Sequence, residues 1–240
     1  MKHILSFILS LSLSLAIQAP FKTGESLKYS AQFELIPVGE AELFVTGIEE
    51  FNGVDVYHVS FSAYTKGLAN QIFKIRDKID IWIDQKYYFT HRLKKDINEG
   101  NYHKNIDVKF DYNKSIATSK NKQVSIDFKA RDPFSMFYYL RTIALEKDSV
   151  MKFTSYEGKQ IVNYNLQMTG KEQIKSPLGT FACYVVKPFR EGKNLFKNSG
   201  DMKIWISDDN QRLPVKIQIK MNVGTMTLLL KNITNSLIIK

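Results

Sequence analysis

Three histidines outside the N-terminal segment, His58, His91 and His103, are the first residues of this 240-residue chain that invite chemistry. Imidazole works as an acid–base group or a metal ligand. A metal site needs convergent ligands, however, and no two of the three stand at i, i+4, nor is there a cysteine pair. His91 and His103 flank Leu93–Tyr102 and could meet across a hairpin, although surface or strand-edge positions are the plainer account. Ser135 follows Asp132-Pro133-Phe134, a helix N-terminus rather than the Gly-x-Ser-x-Gly elbow of a nucleophile. Asp84, Glu99, Asp107 and Asp111 fall on strands or turns, where two carboxylates could serve glycoside hydrolysis. Alternation with apolar neighbours puts Asp107 and Asp111 on a solvent face first. Cys183 lies among apolar strand residues and reads as a small core side chain. Glycine-rich phosphate loops are absent. The sequence therefore yields no catalytic residue, no metal site and no cofactor.

The aromatic load is the stronger signal: sixteen Phe, twelve Tyr and two Trp. The stretch Phe134-Ser135-Met136-Phe137-Tyr138-Tyr139-Leu140 is apolar almost all round, so a helix there must be buried on more than one side. In a curved sheet its place is the concave face, as a plug. Met and aromatic side chains can also line an apolar pocket and repack around a ligand. Candidate ligand contacts are Trp82, Trp205, Phe134, Met136, Phe137 and Tyr138, with simple core filling as the alternative. Trp82 lies on the strand face opposite Ile81 and Ile83. If that face is convex, both Trp leave the set.

The elements that position these residues are strands. Leu27, Tyr29, Ala31, Phe33 and Leu35 alternate with polar residues, as do Ile106, Val108, Phe110 and Tyr112, and then Val124, Ile126 and Phe128. Asn52-Gly53 is a two-residue hairpin signal. Eleven or twelve closely spaced strands are predicted, among them segments near 150–156, 161–170, 181–187, 202–207, 213–220 and 224–231. Asp132 as N-cap and Pro133 at the first turn open a helix running to Leu145, with Met136, Phe137, Leu140 and Ala144 on one face. A shorter helix is predicted near Gly67–Phe73. Ile81-Trp82-Ile83-Asp84 and Ile204-Trp205-Ile206-Ser207-Asp208 look like copies of one hairpin. The pattern suggests one β-domain over 20–240, with two related halves (about 21–130 and 146–235) joined by the helix at 132–145.

Lys2 followed by an apolar run from Ile4 to Ile17 reads as a secretory signal over 1–19, cleaved near 16–19. The run falls short of the roughly 20 residues that span a bilayer. Export with a single cysteine means a core without disulfides, and the signal region has no cysteine to take a lipid anchor. Net charge is +10, scattered without runs. That argues against a nucleic-acid tail and for a diffusely cationic surface suited to an anionic membrane.

Phe21-Lys22-x-Gly24-Glu25-x-Leu27-x-Tyr29, Ile36-Pro37-Val38-Gly39-Glu40-Ala41, Asp132-Pro133-Phe134-Ser135 with Tyr138-Tyr139-Leu140-Arg141, Pro177-Leu178-Gly179-Thr180-Phe181 and Arg212-Leu213-Pro214-Val215 together resemble the DUF3108 family of exported bacterial proteins. Order and spacing carry the resemblance over nearly the whole chain, and it implies no activity. The closing Trp hairpin is also distantly similar to that of the periplasmic lipoprotein carriers LolA and LolB, which implies a curved half-barrel closed by helices around an apolar cavity. The expectation is an all-β protein: a large, strongly curved antiparallel sheet, a half-barrel or open barrel, with a helix in its mouth. It is expected to be periplasmic, monomeric and not an enzyme. Its expected ligand is a lipid, an acyl chain or a lipoprotein. An envelope assembly factor with a protein partner is the alternative, and a hydrolase of envelope polymers a more remote one.

Overall fold

A computed structural model describes residues 19–120, 122–126, 130–156, 161–192 and 200–234. The N-terminal apolar run and its cleavage sites, and Phe128, lie outside the described residues.

Fourteen strands form one antiparallel sheet. The first eight are β1 (Ser26–Phe33), β2 (Ile36–Phe51), β3 (Val54–Thr65), β4 (Arg76–Asp84), β5 (Thr90–Glu99), β6 (Tyr102–Asp111), β7 (Ile116–Ser119) and β8 (Lys122–Ser125). The remaining six are β9 (Val150–Tyr156), β10 (Ile161–Ser176), β11 (Gly179–Phe189), β12 (Asp201–Ser207), β13 (Pro214–Met221) and β14 (Gly224–Thr234). Helix α1 (Gly67–Ile72) connects β3 to β4, and α2 (Pro133–Thr142) connects β8 to β9. Every neighbour in the sheet is a neighbour in sequence except at one join: β1 pairs with β14, so two meanders meet in the middle and leave β8 and β9 as the edges. The expected curved sheet with a helix is borne out, and the sheet has two strands more than the upper expectation.

The edges do not pair, but the seam between them is packed. Ala130 accepts a hydrogen bond from Thr90 N, and Arg131 N donates to Thr154 O of β9, so these two residues bridge β5 to β9. Phe110 of β6 meets Tyr156 of β9 edge to face at 5.4 Å. Val108, Phe110, Ala117, Ile126, Ala130 and Tyr156 make a second small core there.

Hairpin tips alternate between the two ends of the sheet, and α2 lies across one of them. Its cap side chain, Asp132, accepts from Phe134 N (2.7 Å) and Ser135 N (3.3 Å), while Ser135 Oγ accepts from Asp132 N (2.9 Å). This reciprocal cap follows from Asp, Pro and Ser at those three places. The helix stops at Thr142, and Ala144 is exposed rather than on its buried face. Thr90, at the start of β5, donates to Asp132 Oδ2 at 2.6 Å and fixes the helix entry. The other end is held by Arg141, whose guanidinium forks onto Glu25 (2.5 and 2.9 Å) and also donates to Pro20 O and Gln211 O. Both charged side chains are essentially inaccessible. Residues 19–25 therefore lie beside α2, with Phe21 touching Tyr57, Tyr88 and Tyr138. Together they plug this end.

The two Trp hairpins agree well beyond their sequence match. Trp82 donates to Glu49 at 2.7 Å and Trp205 to Glu172 at 2.8 Å, both across 33 residues. Arg92 lies over Trp82 and Lys216 over Trp205. A β-bulge follows each Trp, and the following turns place Tyr88 and Arg212 alike at positive φ (57° and 48°).

Candidate functional site

Pairing fixes which side chains face the plug. Phe61 packs on Phe134 of α2 at 4.8 Å, and Phe61 pairs with Ile79 and Leu43. Directly paired residues share a face, and alternate residues of a strand return to it. Ile79, Ile81 and Ile83 are thus inward, as are Leu27, Tyr29 and Ala31. Continuing through Leu228 and Ile217, Ile204 and Ile206 are inward too. Trp82 and Trp205 point the other way, and by the parity condition they leave the set of ligand contacts. Trp82 stacks on His58 (4.6 Å, 8°) on the outer face, and Trp205 is buried there at 3% exposure. Of the four helix candidates, Met136, Phe137 and Tyr138 are buried in the main core. Phe134 is half-buried against Phe61.

Beyond the plug the inward residues stop being fully buried. Phe61, Ala63, Ile97, Met151, Tyr164, Met202 and Leu228 all pack on the core yet keep partial exposure. A cavity of about 250 Å³ opens between β5–β6 and β9 along the seam. Its walls are Leu93, Ile106, Val108 and Tyr156, with Pro133 of the plug at one side and Lys95 and Lys104 contributing positive charge. Ser155 lines it as well; its buried Oγ has no hydrogen-bond partner among the described residues. A buried hydroxyl without a partner costs free energy, which a bound polar group or water would relieve. A second cavity, of about 680 Å³, lies at the plugged end beside Leu145, Met168, Lys171 and Tyr184. Lys171 Nζ there donates to Asp208 at 2.5 Å and lies over the Tyr184 ring.

The residues that invited catalytic readings are dispersed. His91 is buried against Asp84 (3.3 Å), whereas His103 bonds Asn98 near the opposite end of the same hairpin, so the two do not meet. Burial works against ionised Asp84, but the His91 bond and the Lys86 and Tyr87 amides outweigh it and hold its pKa below the ordinary range. His58 sits between Glu49 (2.7 Å) and Asp80 (3.1 Å) on the outer face. The Trp82 indole N–H bond, helped by His58, keeps Glu49 below its ordinary range despite some desolvation. Ser135 is used in the helix cap, and Arg92 grips Asp107 with two bonds. Among the described residues no three His, Cys, Asp or Glu side chains converge as metal ligands.

The seam residues Leu93, Lys95, Lys104, Ile106, Val108, Ser155 and Tyr156 were not singled out from sequence. Alternation placed them on strands, but nothing local reveals that β9 lies opposite β6.

A protein-family model described as "Protein of unknown function (DUF3108)" matches residues 28–231. No curated protein matches the chain. Among solved structures it is similar to a β-barrel-like protein of domain of unknown function DUF1849 from Brucella abortus, with TM-score 0.58 and 9% identity over 90% of this chain and 99% of that one. A Bacteroides fragilis structure described as an exported protein with a YmcC-like fold aligns at TM-score 0.40 and 10% identity, over 90% of this chain and 97% of that one. A Parabacteroides distasonis structure described as a lipoprotein aligns at TM-score 0.39 and 12% identity, over the same shares. The first of these likenesses supports the fold; at such identities none of them carries an activity.

Proposed function

This chain belongs to the DUF3108 family, and from that membership and the geometry above we propose that it is an exported envelope protein that holds an amphipathic, anionic ligand in the concave face of its sheet. The observation that carries this reading is the seam cavity: apolar walls, two lysines and one orphaned hydroxyl in a space of about 250 Å³. Apolar walls with a few polar groups are the usual composition of a small-molecule site. The volume lies below the roughly 300–1,000 Å³ of ordinary ligand pockets, which suits one acyl chain rather than a bulky group. Burial of that chain would drive binding at about 25 cal/mol per Å². Its carboxylate or phosphate would meet Lys95 and Lys104. Phe61, Ile97 and Phe134 extend the apolar surface beyond the cavity. The N-terminal apolar run after Lys2 supports export.

Assembly through an unpaired sheet edge is less well supported. The β9 edge is partly covered by Arg131, and the β8 edge is four residues long and starts with Lys122, features that discourage strand addition.

Native mass spectrometry of the purified protein, with organic extraction, tests the reading together with titration of a fluorescent fatty acid. Binding that weakens several-fold in Lys95→Ala/Lys104→Ala and is blocked by Ile106→Arg is expected. Protein that carries no lipid and binds no fatty acid would sink the proposal.

A further inference from the structure

The end of the sheet opposite α2 carries a feature that the interior does not explain. The five most exposed large apolar residues of the described chain are Leu35 (87%), Ile72 (85%), Val223 (79%), Leu68 (77%) and Ile36 (68%), and all five are on this end. Phe73 and Tyr102, each about half exposed, join them. They sit on adjacent tips: β13–β14, β1–β2, the α1 connection and β5–β6, in sheet order.

Hydrogen bonds tie these tips to one another. Glu34 N donates to Thr225 O at 2.8 Å and Thr225 N to Glu34 Oε1 at 2.7 Å, joining the first two. Lys66 N donates to Val38 O, joining β2 to the start of α1. Gly100 N donates to Lys74 O, and Phe73 packs so closely on Gly100 that an added Cβ would lie 2.9 Å from its ring. The four tips thus stand side by side, and their apolar side chains are arranged as a crescent along this end. Helix α1 is the clearest part of it: it has no buried residue and no side-chain cap, while Leu68 and Ile72 share a face at i, i+4 spacing. A short helix that buries nothing in its own protein is explained by something outside it.

We infer that this crescent inserts into the headgroup region of an anionic bilayer leaflet. Three observations favour a membrane over a protein partner. The residues are mostly aliphatic, whereas protein interfaces anchor on Trp, Tyr and Arg. They stand on separate projecting tips rather than a flat face. Lys66, Lys74, Arg76, Lys104 and Lys220 are on or beside the same tips, against Glu34, Glu40, Asp77 and Glu99, with Lys66 bonded to Glu40 at 2.6 Å, in a chain of net charge +10. Aliphatic insertion backed by lysine is the chemistry of interfacial anchoring. The inference stands whether or not the interior holds a ligand. If it does, the open end of the sheet faces the leaflet, and a chain can pass between the two without crossing water.

Flotation with vesicles of phosphatidylethanolamine and phosphatidylglycerol, and with phosphatidylcholine alone, provides the test. Wild-type protein should float with the anionic vesicles at low salt and less so at high salt. Leu68→Gln/Ile72→Gln alters two exposed side chains, so the fold, checked by circular dichroism, is retained. Anionic-vesicle affinity should fall at least about tenfold, as expected for two lost apolar insertions. Ile48→Gln, half exposed away from the crescent, should leave it unchanged. All proteins carry the same N-terminus, so any contribution from that segment cancels. Failure of wild type to bind anionic vesicles, equal binding by the Leu68/Ile72 variant, or a crescent-dependent dimer with no vesicle binding would each overturn the inference.

Discussion

Removing one partner of the Arg141–Glu25 pair should loosen the plug more than any comparable surface change. Arg141 makes four hydrogen bonds: two to Glu25, and one each to Pro20 O and Gln211 O. Burial opposes its charge, yet the Glu25 bonds and the Glu25 charge overcome that and raise its pKa above the ordinary arginine value. Arg141→Met leaves Glu25 buried and uncompensated, a situation that costs about 3–5 kcal/mol. For a chain of this size that corresponds to a fall in Tm of roughly 6–20 °C. Glu25→Leu should cost a similar amount. The double replacement should recover much of the loss, because a buried ion pair contributes little net stability over apolar side chains of similar volume. Recovery will be incomplete, since the Pro20 and Gln211 carbonyls still lack their donor. The assay is a double-mutant cycle by urea unfolding, with hydrogen exchange over α2 and residues 20–25 to localise the loosening. Single replacements that cost under about 1 kcal/mol, or a cycle that closes additively, would refute the argument that this pair fastens the helix to the N-terminal segment.

Three further outcomes follow from the same structure. Asp132→Ala removes the α2 cap and the Thr90 anchor together and should cost about 1–2 kcal/mol in urea unfolding; a change near zero would mean the cap is dispensable. Glu40 is held at about 2 rather than 4.5, first by Lys231 and then by Lys66. Its folded-state pKa is depressed, so its contribution to stability is complete above about pH 4.5 and is lost as pH falls toward 2. The Tm gap between wild type and Glu40→Gln should narrow across that window, and a gap independent of pH would contradict the assignment. Burial, with smaller contributions from Asp209, Asp208 and Glu172, pushes the Cys183 thiol up to about 12. An aromatic disulfide reagent at about pH 8 should therefore leave the folded protein unmodified and react on unfolding, since the thiolate is the reactive form; rapid labelling of native protein would show Cys183 to be accessible.

The features legible in the chain alone are local. Period-two alternation specified the strands, Asn52-Gly53 its hairpin, with both residues at positive φ, and Asp132-Pro133-x-Ser135 the start of α2. The two Trp motifs announced equivalent hairpins because the same turn and the same outward Trp–Glu bond recur in each. Parity alone also sets Trp82 against Ile81 and Ile83, so the condition that removes it from the interior is legible in the sequence. Which face was concave was not. That depended on where α2 packed, a contact between Phe134 and Phe61 separated by the whole β4–β8 meander. The pairing of Glu25 with Arg141 spans 116 residues, and an arginine in an apolar helix does not name its partner. The seam cavity needed β9 brought against β6, and the crescent needed four tips brought to one end. Neither arrangement has a sequence signal, because each arises from the curvature of the whole sheet: strand propensity acts over a few residues, whereas curvature and the join between β1 and β14 bring together residues with no local relation.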